Sequence, residues 1–199
     1  MPVVQILFLI LWAVFYGAYI LKNLMLRRQG IEADILGKGE KPKERAAFET
    51  ALKIVTYTGA GVQLFSIAFP KALWSFPVFP LMKNCGLILV LLGNVYFIAA
   101  VVVMGRNWRA GFSTQQDTKL VTGGIYSFSR NPAFLGFDLL YIGCGLAFPN
   151  LLHIAFGALA VTLFHFQILG EEKFLSDAFG EEYLNYKAKT QRYFGQRKN

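Results

Sequence analysis

Residues 130–172, RNPAFLGFDLLYIGCGLAFPNLLHIAFGALAVTLFHFQILGEE, decide the fold. Two apolar runs, 132–149 and 151–169, meet at Pro149-Asn150, which leaves room only for a tight turn. Helices joined so closely form an antiparallel hairpin packed side by side. Three further apolar runs precede it, at 3–21, 50–69 and 85–104. A helix rises ~1.5 Å per residue and satisfies its own backbone, so runs of this length suit the ~30 Å of a bilayer's hydrocarbon core. Composition agrees: 55% of the 199 residues are hydrophobic and 16% charged, well below the roughly 25% charged of soluble domains. Mean hydropathy is +0.43. The sequence therefore predicts an all-α integral membrane protein with five transmembrane helices, a C-terminal helical hairpin and an amphipathic cytoplasmic tail helix. The first run lacks a preceding basic residue and a following A-x-A-like site, and is read as a retained span. One membrane domain, 1–199, is expected, with three spans in 1–104 and the remaining polar motifs in 105–199.

The formal charge of +8 is explained by where the basic residues fall. All twenty except Lys71 and Lys83 lie in the first loop, the third loop or the C-terminal tail, on one side of a five-span arrangement. The positive-inside rule makes that side cytoplasmic, with the N-terminus outside and the C-terminus inside. These cations set topology and contact membrane lipids, and nucleic-acid binding is not expected. Cys85 and Cys144 sit inside apolar runs without a CxxC or Cys/His spacing, so neither a disulfide framework nor a metal site is predicted. The glycine-rich stretch 30–43 lacks G-x-x-x-x-G-K-[ST] and reads as a cytoplasmic loop rather than a phosphate loop.

Polar groups inside hydrocarbon are costly and therefore informative. Asp138 comes early in the fourth run, within reach of water or Arg130, and is expected to make an interhelical hydrogen bond or charge pair. His153 is expected at the outer interface. His165 lies twelve residues further on, too far for a metal-ligand pair on one helix turn. Gln63, Asn94 and Gln167 are the uncharged polar companions.

The denser polar cluster lies at the inner membrane face. Arg130-Asn131-Pro132 leads into the fourth run, and Glu171-Glu172 follows the fifth, so the hairpin returns them to the same depth. Phe174, Leu175, Ala178 and Phe179 follow on helical spacing, with Gly180 as a stop signal. The resulting aromatic face suits a lid lying over the cluster. The pattern Leu120-Val-x-x-Gly-x-Tyr126-x-x-x-Arg130-x-Pro132-x-x-x-Gly136 is followed by Glu171-Glu172-x-x-Leu175-x-x-x-Phe179-Gly180-x-x-Tyr183-x-x-Tyr186 and Arg192-x-Phe194. With Asn107-Trp108 upstream, it resembles the isoprenylcysteine carboxyl methyltransferase and phospholipid methyltransferase family over roughly 105–194.

That resemblance implies a membrane-embedded methyltransferase using S-adenosylmethionine, held in a cytoplasmic-side cavity at the base of the hairpin. It implies cofactor contacts from Leu120, Val121, Gly124, Tyr126, Asn131, Pro132 and Tyr183, acceptors from Glu171 and Glu172, and a catalytic role for Arg130 beside the two carboxylates. The tyrosines read equally as interfacial aromatics. The family usually has His at Asn131 and Tyr at Phe134, and often His at Thr118; Asn keeps a hydrogen bond but cannot titrate near neutrality. The implied acceptor is a hydrophobic or lipid-like molecule arriving from the bilayer, bearing a carboxylate, amine or thiol. A carboxylate needs no base, whereas an amine or thiol must lose a proton. Two other readings stand beside this one: an NADPH-dependent membrane reductase of the sterol-reductase type, and a non-catalytic membrane partner.

Overall fold

The computed structural model describes residues 2–72, 74–111 and 119–196. Among the described residues six α-helices run in chain order: α1 (Val3–Arg28), α2 (Lys43–Ala68), α3 (Pro80–Met104), α4 (Pro132–Ala147), α5 (Leu151–Phe179) and α6 (Glu181–Lys189). Short 3₁₀ turns cover Gly105–Asn107 and Gly124–Ser127. Among the described residues the extended pairings are isolated bridges, such as Asp34 with Ala110. The chain is all-helical, as its apolar runs require.

Among the described residues three helices are long and apolar enough to cross a membrane: α1, α5 and α3 with its 3₁₀ extension to Asn107. The other two expected spans depart from that standard for different reasons. α4 is apolar but has 16 residues, about 24 Å of helix, less than the hydrocarbon thickness. α2 has 26 residues, but Lys43, Glu44, Arg45, Glu49 and Lys53 occupy its first three turns. α5 departs in the opposite direction. Its 29 residues run past Glu171-Glu172 to Phe179, about 43 Å in one piece, so the amphipathic stretch 174–179 extends this helix instead of starting a new one. Gly180, at φ +52°, breaks the helix and opens α6.

The tightest packing is between α3 and α4. Gly93 faces Gly136 and Gly86 faces Gly143, each pair two helical turns from the other, in antiparallel register. A Cβ on Gly136 would lie 2.9 Å from the Gly93 carbonyl oxygen, and one on Gly143 would lie 2.7 Å from that of Gly86. Backbones meet here without intervening side chains, the arrangement by which helices associate where burial from water supplies no drive. Aromatic rings fill the space beside this seam: Phe97 stacks on Phe15 at 4.4 Å and meets Phe137 and Trp108 edge-on.

Most polar residues of the spans serve packing. Gln63 accepts from the Tyr16 hydroxyl, Asn94 donates to the Val90 carbonyl of its own helix, and Tyr141 donates to the Thr56 carbonyl. At the hairpin, the Asn150 side chain accepts from the His153 backbone N–H at 2.8 Å, capping α5. The His153 side chain, at this turn, is buried at 1% exposure. Asp138 is buried as well. Its Oδ1 has no hydrogen-bond partner among the described residues, and Arg130 points elsewhere.

Candidate functional site

Glu171 and Glu172 are neighbours on one helix, so their side chains leave it about 100° apart. That rotation gives them different surroundings. Glu172 is 4% exposed and lies within a clasp. Its Oε1 accepts from Arg130 Nη2 at 2.7 Å and Nε at 3.2 Å, and from the Asn131 amide at 3.3 Å. Arg192 completes the clasp, donating from Nη2 to Oε2 at 2.9 Å and from Nε to Oε1 at 3.1 Å. The hydrogen bond to Glu172 raises the Arg192 guanidinium above its ordinary pKa. Arg130 spends its remaining guanidinium nitrogen on the Thr190 carbonyl.

The clasp fastens the end of the chain to the hairpin. After α6, residues 190–196 double back as a strap across the 3₁₀ turn and the start of α4. Arg130 N donates to the Gln191 carbonyl, Gly195 N to the Phe128 carbonyl, and the Asn131 amide to the Arg192 carbonyl. Higher up the same groove, Tyr193 stacks on His165 and its hydroxyl hydrogen-bonds His165 Nδ1. α6 is held by Tyr186, whose hydroxyl donates to the Tyr126 carbonyl at 2.6 Å. Burial pushes the Tyr183 pKa up to about 12 and raises those of Tyr126 and Tyr186 too, so all three are neutral phenols at physiological pH.

Glu171 turns the other way, onto the wall of a cavity lined by α1, α2, α4, α5 and residues 107–111 and 119–126. Seven of the ten residues expected to bind the cofactor or act in catalysis meet there: Leu120, Val121, Tyr126, Arg130, Asn131, Pro132 and Glu171. Three do not. Gly124, at φ +61°, turns the chain against Val103. Glu172 lies in the clasp, and Tyr183 is 1% exposed in a cluster with Ala100, Tyr126 and Tyr186. Phe134, one of the departures from the family pattern, also lines the cavity; Thr118, another, lies outside the described residues.

Other wall residues carry less of a signal in the sequence. α1 contributes Tyr16 and Tyr19, and α2 contributes Leu52, Thr56 and Tyr57, from spans that carry no recognisable motif. Gln167 is fully buried and donates its amide N–H to Glu171 Oε1 at 2.9 Å. Trp108 forms wall as well, and its buried indole N–H has no partner among the described residues. The cavity thus sets the Glu171 side chain among aromatic rings from α1, α2, α4 and α5.

The chain matches the model of a family described as phospholipid methyltransferase over residues 81–182, which runs from α3 to the start of α6. Curated relatives include a protein-S-isoprenylcysteine O-methyltransferase of Xenopus laevis, 36% identical over 53% of this chain and 38% of its own length. Protein-S-isoprenylcysteine O-methyltransferase A of Arabidopsis thaliana is 31% identical over 52% of this chain and 54% of its own. The Saccharomyces cerevisiae protein-S-isoprenylcysteine O-methyltransferase is 34% identical over 53% and 45%. The chain spans about half the length, or less, of these relatives. α1, α2 and the strap lie outside the region matched by the family model.

Proposed function

The chain belongs to the phospholipid methyltransferase family, and from that premise we propose that it is a membrane methyltransferase that takes its methyl group from S-adenosylmethionine and passes it to a hydrophobic, lipid-like acceptor. The observation that carries the proposal is the cavity beneath the hairpin, where Glu171 lines a space shared with Trp108, Tyr126 and Asn131. These groups fit the cofactor. Glu171 would hold its ammonium, the backbone at Leu120-Val121 its polar edges, and Tyr126 would pack against its ring system. When bound, S-adenosylmethionine supplies a methyl already activated on its sulfonium.

The protein's part is then alignment and exclusion of water, and orientation alone is worth ~7–11 kcal/mol in reactions of this kind. Gln167 keeps Glu171 aimed at the cavity. The Arg130–Glu172–Arg192 clasp holds Asn131 and the start of α4 as a fixed floor, making Arg130 and Glu172 positioning residues in this reading. Phe134, Phe137, Tyr16 and Tyr19 offer an apolar berth for the acceptor. The relatives are named O-methyltransferases, which favours an oxygen acceptor; a carboxylate, ionised at neutral pH, needs no base. Amine or thiol acceptors would need one.

In the same reading α1 to α5, the short α4 included, cross the bilayer as one membrane domain, with residues 1–104 as three spans and 105–199 as the donor-binding region. The N-terminus faces outward and the C-terminus the cytoplasm, with α6 as an amphipathic cover and the basic loops against lipid headgroups. Thermal denaturation of the detergent-solubilised protein, titrated separately with S-adenosylhomocysteine and NADPH, tests the cofactor. S-adenosylhomocysteine is expected to raise the melting temperature with concentration while NADPH does not. The reverse result overturns the methyltransferase reading in favour of a reductase.

A further inference from the structure

Gln167 reaches Glu171 with its amide N–H, and what fixes that amide lies on α2. Arg45 Nη2 donates to Gln167 Oε1 at 2.7 Å. A guanidinium has donors and no acceptor, so it dictates the amide's orientation: the carbonyl must face Arg45, and the N–H is left for the carboxylate. Arg45 is itself held. Its Nε donates to Glu49 Oε1 at 3.0 Å, and Glu49 is fully buried, with its other oxygen accepting from Lys41 Nζ at 2.6 Å and Gly37 N at 2.8 Å. Gly170 leaves the guanidinium room to pass, because a Cβ there would lie 2.5 Å from Arg45 Nη1. A partly buried, directional row runs Glu49, Arg45, Gln167, Glu171 and ends on the cavity wall.

We infer that Arg45, on a helix wholly outside the matched family region, is a positioning residue for the methyl donor, acting through Gln167 to hold Glu171 in place. The inference rests on the donor-binding reading above and extends it. It gives α2 a part in cofactor affinity that its sequence, without a motif, does not announce.

Calorimetry with S-adenosylhomocysteine on the purified chain in detergent tests it, alongside steady-state kinetics in S-adenosylmethionine. Arg45→Met and Gln167→Met each remove one charge-assisted link and are expected to raise the dissociation constant about tenfold. The double variant is expected to be no worse than the weaker single one, because both cut the same row. The KM for the donor should rise in parallel, while kcat at saturating donor and the KM for the acceptor hold. Lys53→Met, which breaks the Lys53–Asp34 pair on the same helix, serves as the stability control and should leave affinity unchanged. If Arg45→Met does not fold, Gly170→Ala displaces the guanidinium with every charge retained and should weaken binding in the same sense. Wild-type affinity in Arg45→Met, or in Gly170→Ala where that variant stands in, overturns the inference alone, as do losses that multiply in the double variant. A wild-type chain that binds no S-adenosylhomocysteine overturns the donor reading beneath it and this inference with it.

Discussion

The two faces of the lower part of α5 differ in how their carboxylates are satisfied. On the strap face, Glu172 is gripped by two guanidinia and an amide and sits apart from the cavity. On the cavity face, Glu171 has one neutral amide donor and an open side. A carboxylate surrounded by partners holds structure together, whereas one with capacity left over can take a cationic ligand. Identical residues, adjacent in the chain, are thereby divided between architecture and binding.

Breaking the saturated side should cost the most. Glu172→Gln leaves the buried Arg130 guanidinium without its counter-charge and is expected to destabilise the fold by about 3–5 kcal/mol, read from denaturant unfolding in micelles. An unchanged unfolding midpoint would remove the clasp from the account. Next comes the seam that carries α4. Gly136→Val forces side-chain atoms against the Gly93 carbonyl and Phe97 and is expected to cost about 1–3 kcal/mol, with loss of donor binding only as far as α4 shifts. The strap offers a smaller test. Tyr193→Phe deletes the bond to His165 while leaving the stacked ring, an expected loss of about 1 kcal/mol, with faster proteolysis within 190–196. Least of all in stability terms, Glu171→Gln should change unfolding by under about 0.5 kcal/mol, since the amide can still accept from Gln167. Its effect belongs to affinity for S-adenosylhomocysteine, and a variant that is both destabilised and fully binding would invert the comparison.

The hairpin was legible because Pro149-Asn150 allows little between two apolar runs, and the structure caps its second helix with Asn150. The convergence of Arg130 with the Glu171-Glu172 pair followed from that hairpin by geometry alone. What the sequence could not separate is which glutamate faces which way. That depends on groups far away in the chain, Arg192 on the strap and Arg45 on α2, and helical periodicity gives a direction only relative to a known neighbour. The burial of His153 was illegible for a related reason: its position near a helix end does not say what packs against it. The wall residues of α1 and α2 were illegible because tyrosines in an apolar span read as packing until the cavity beside them is seen.

The most direct test is a structure determined with S-adenosylhomocysteine bound. The account predicts the ligand in the cavity beneath the hairpin, its amino group within hydrogen-bond range, ~3 Å, of the Glu171 carboxylate, and Glu172 still clasped by Arg130 and Arg192. Ligand density on the strap face of α5, or a Glu172 released from its arginines to reach the ligand, would contradict it.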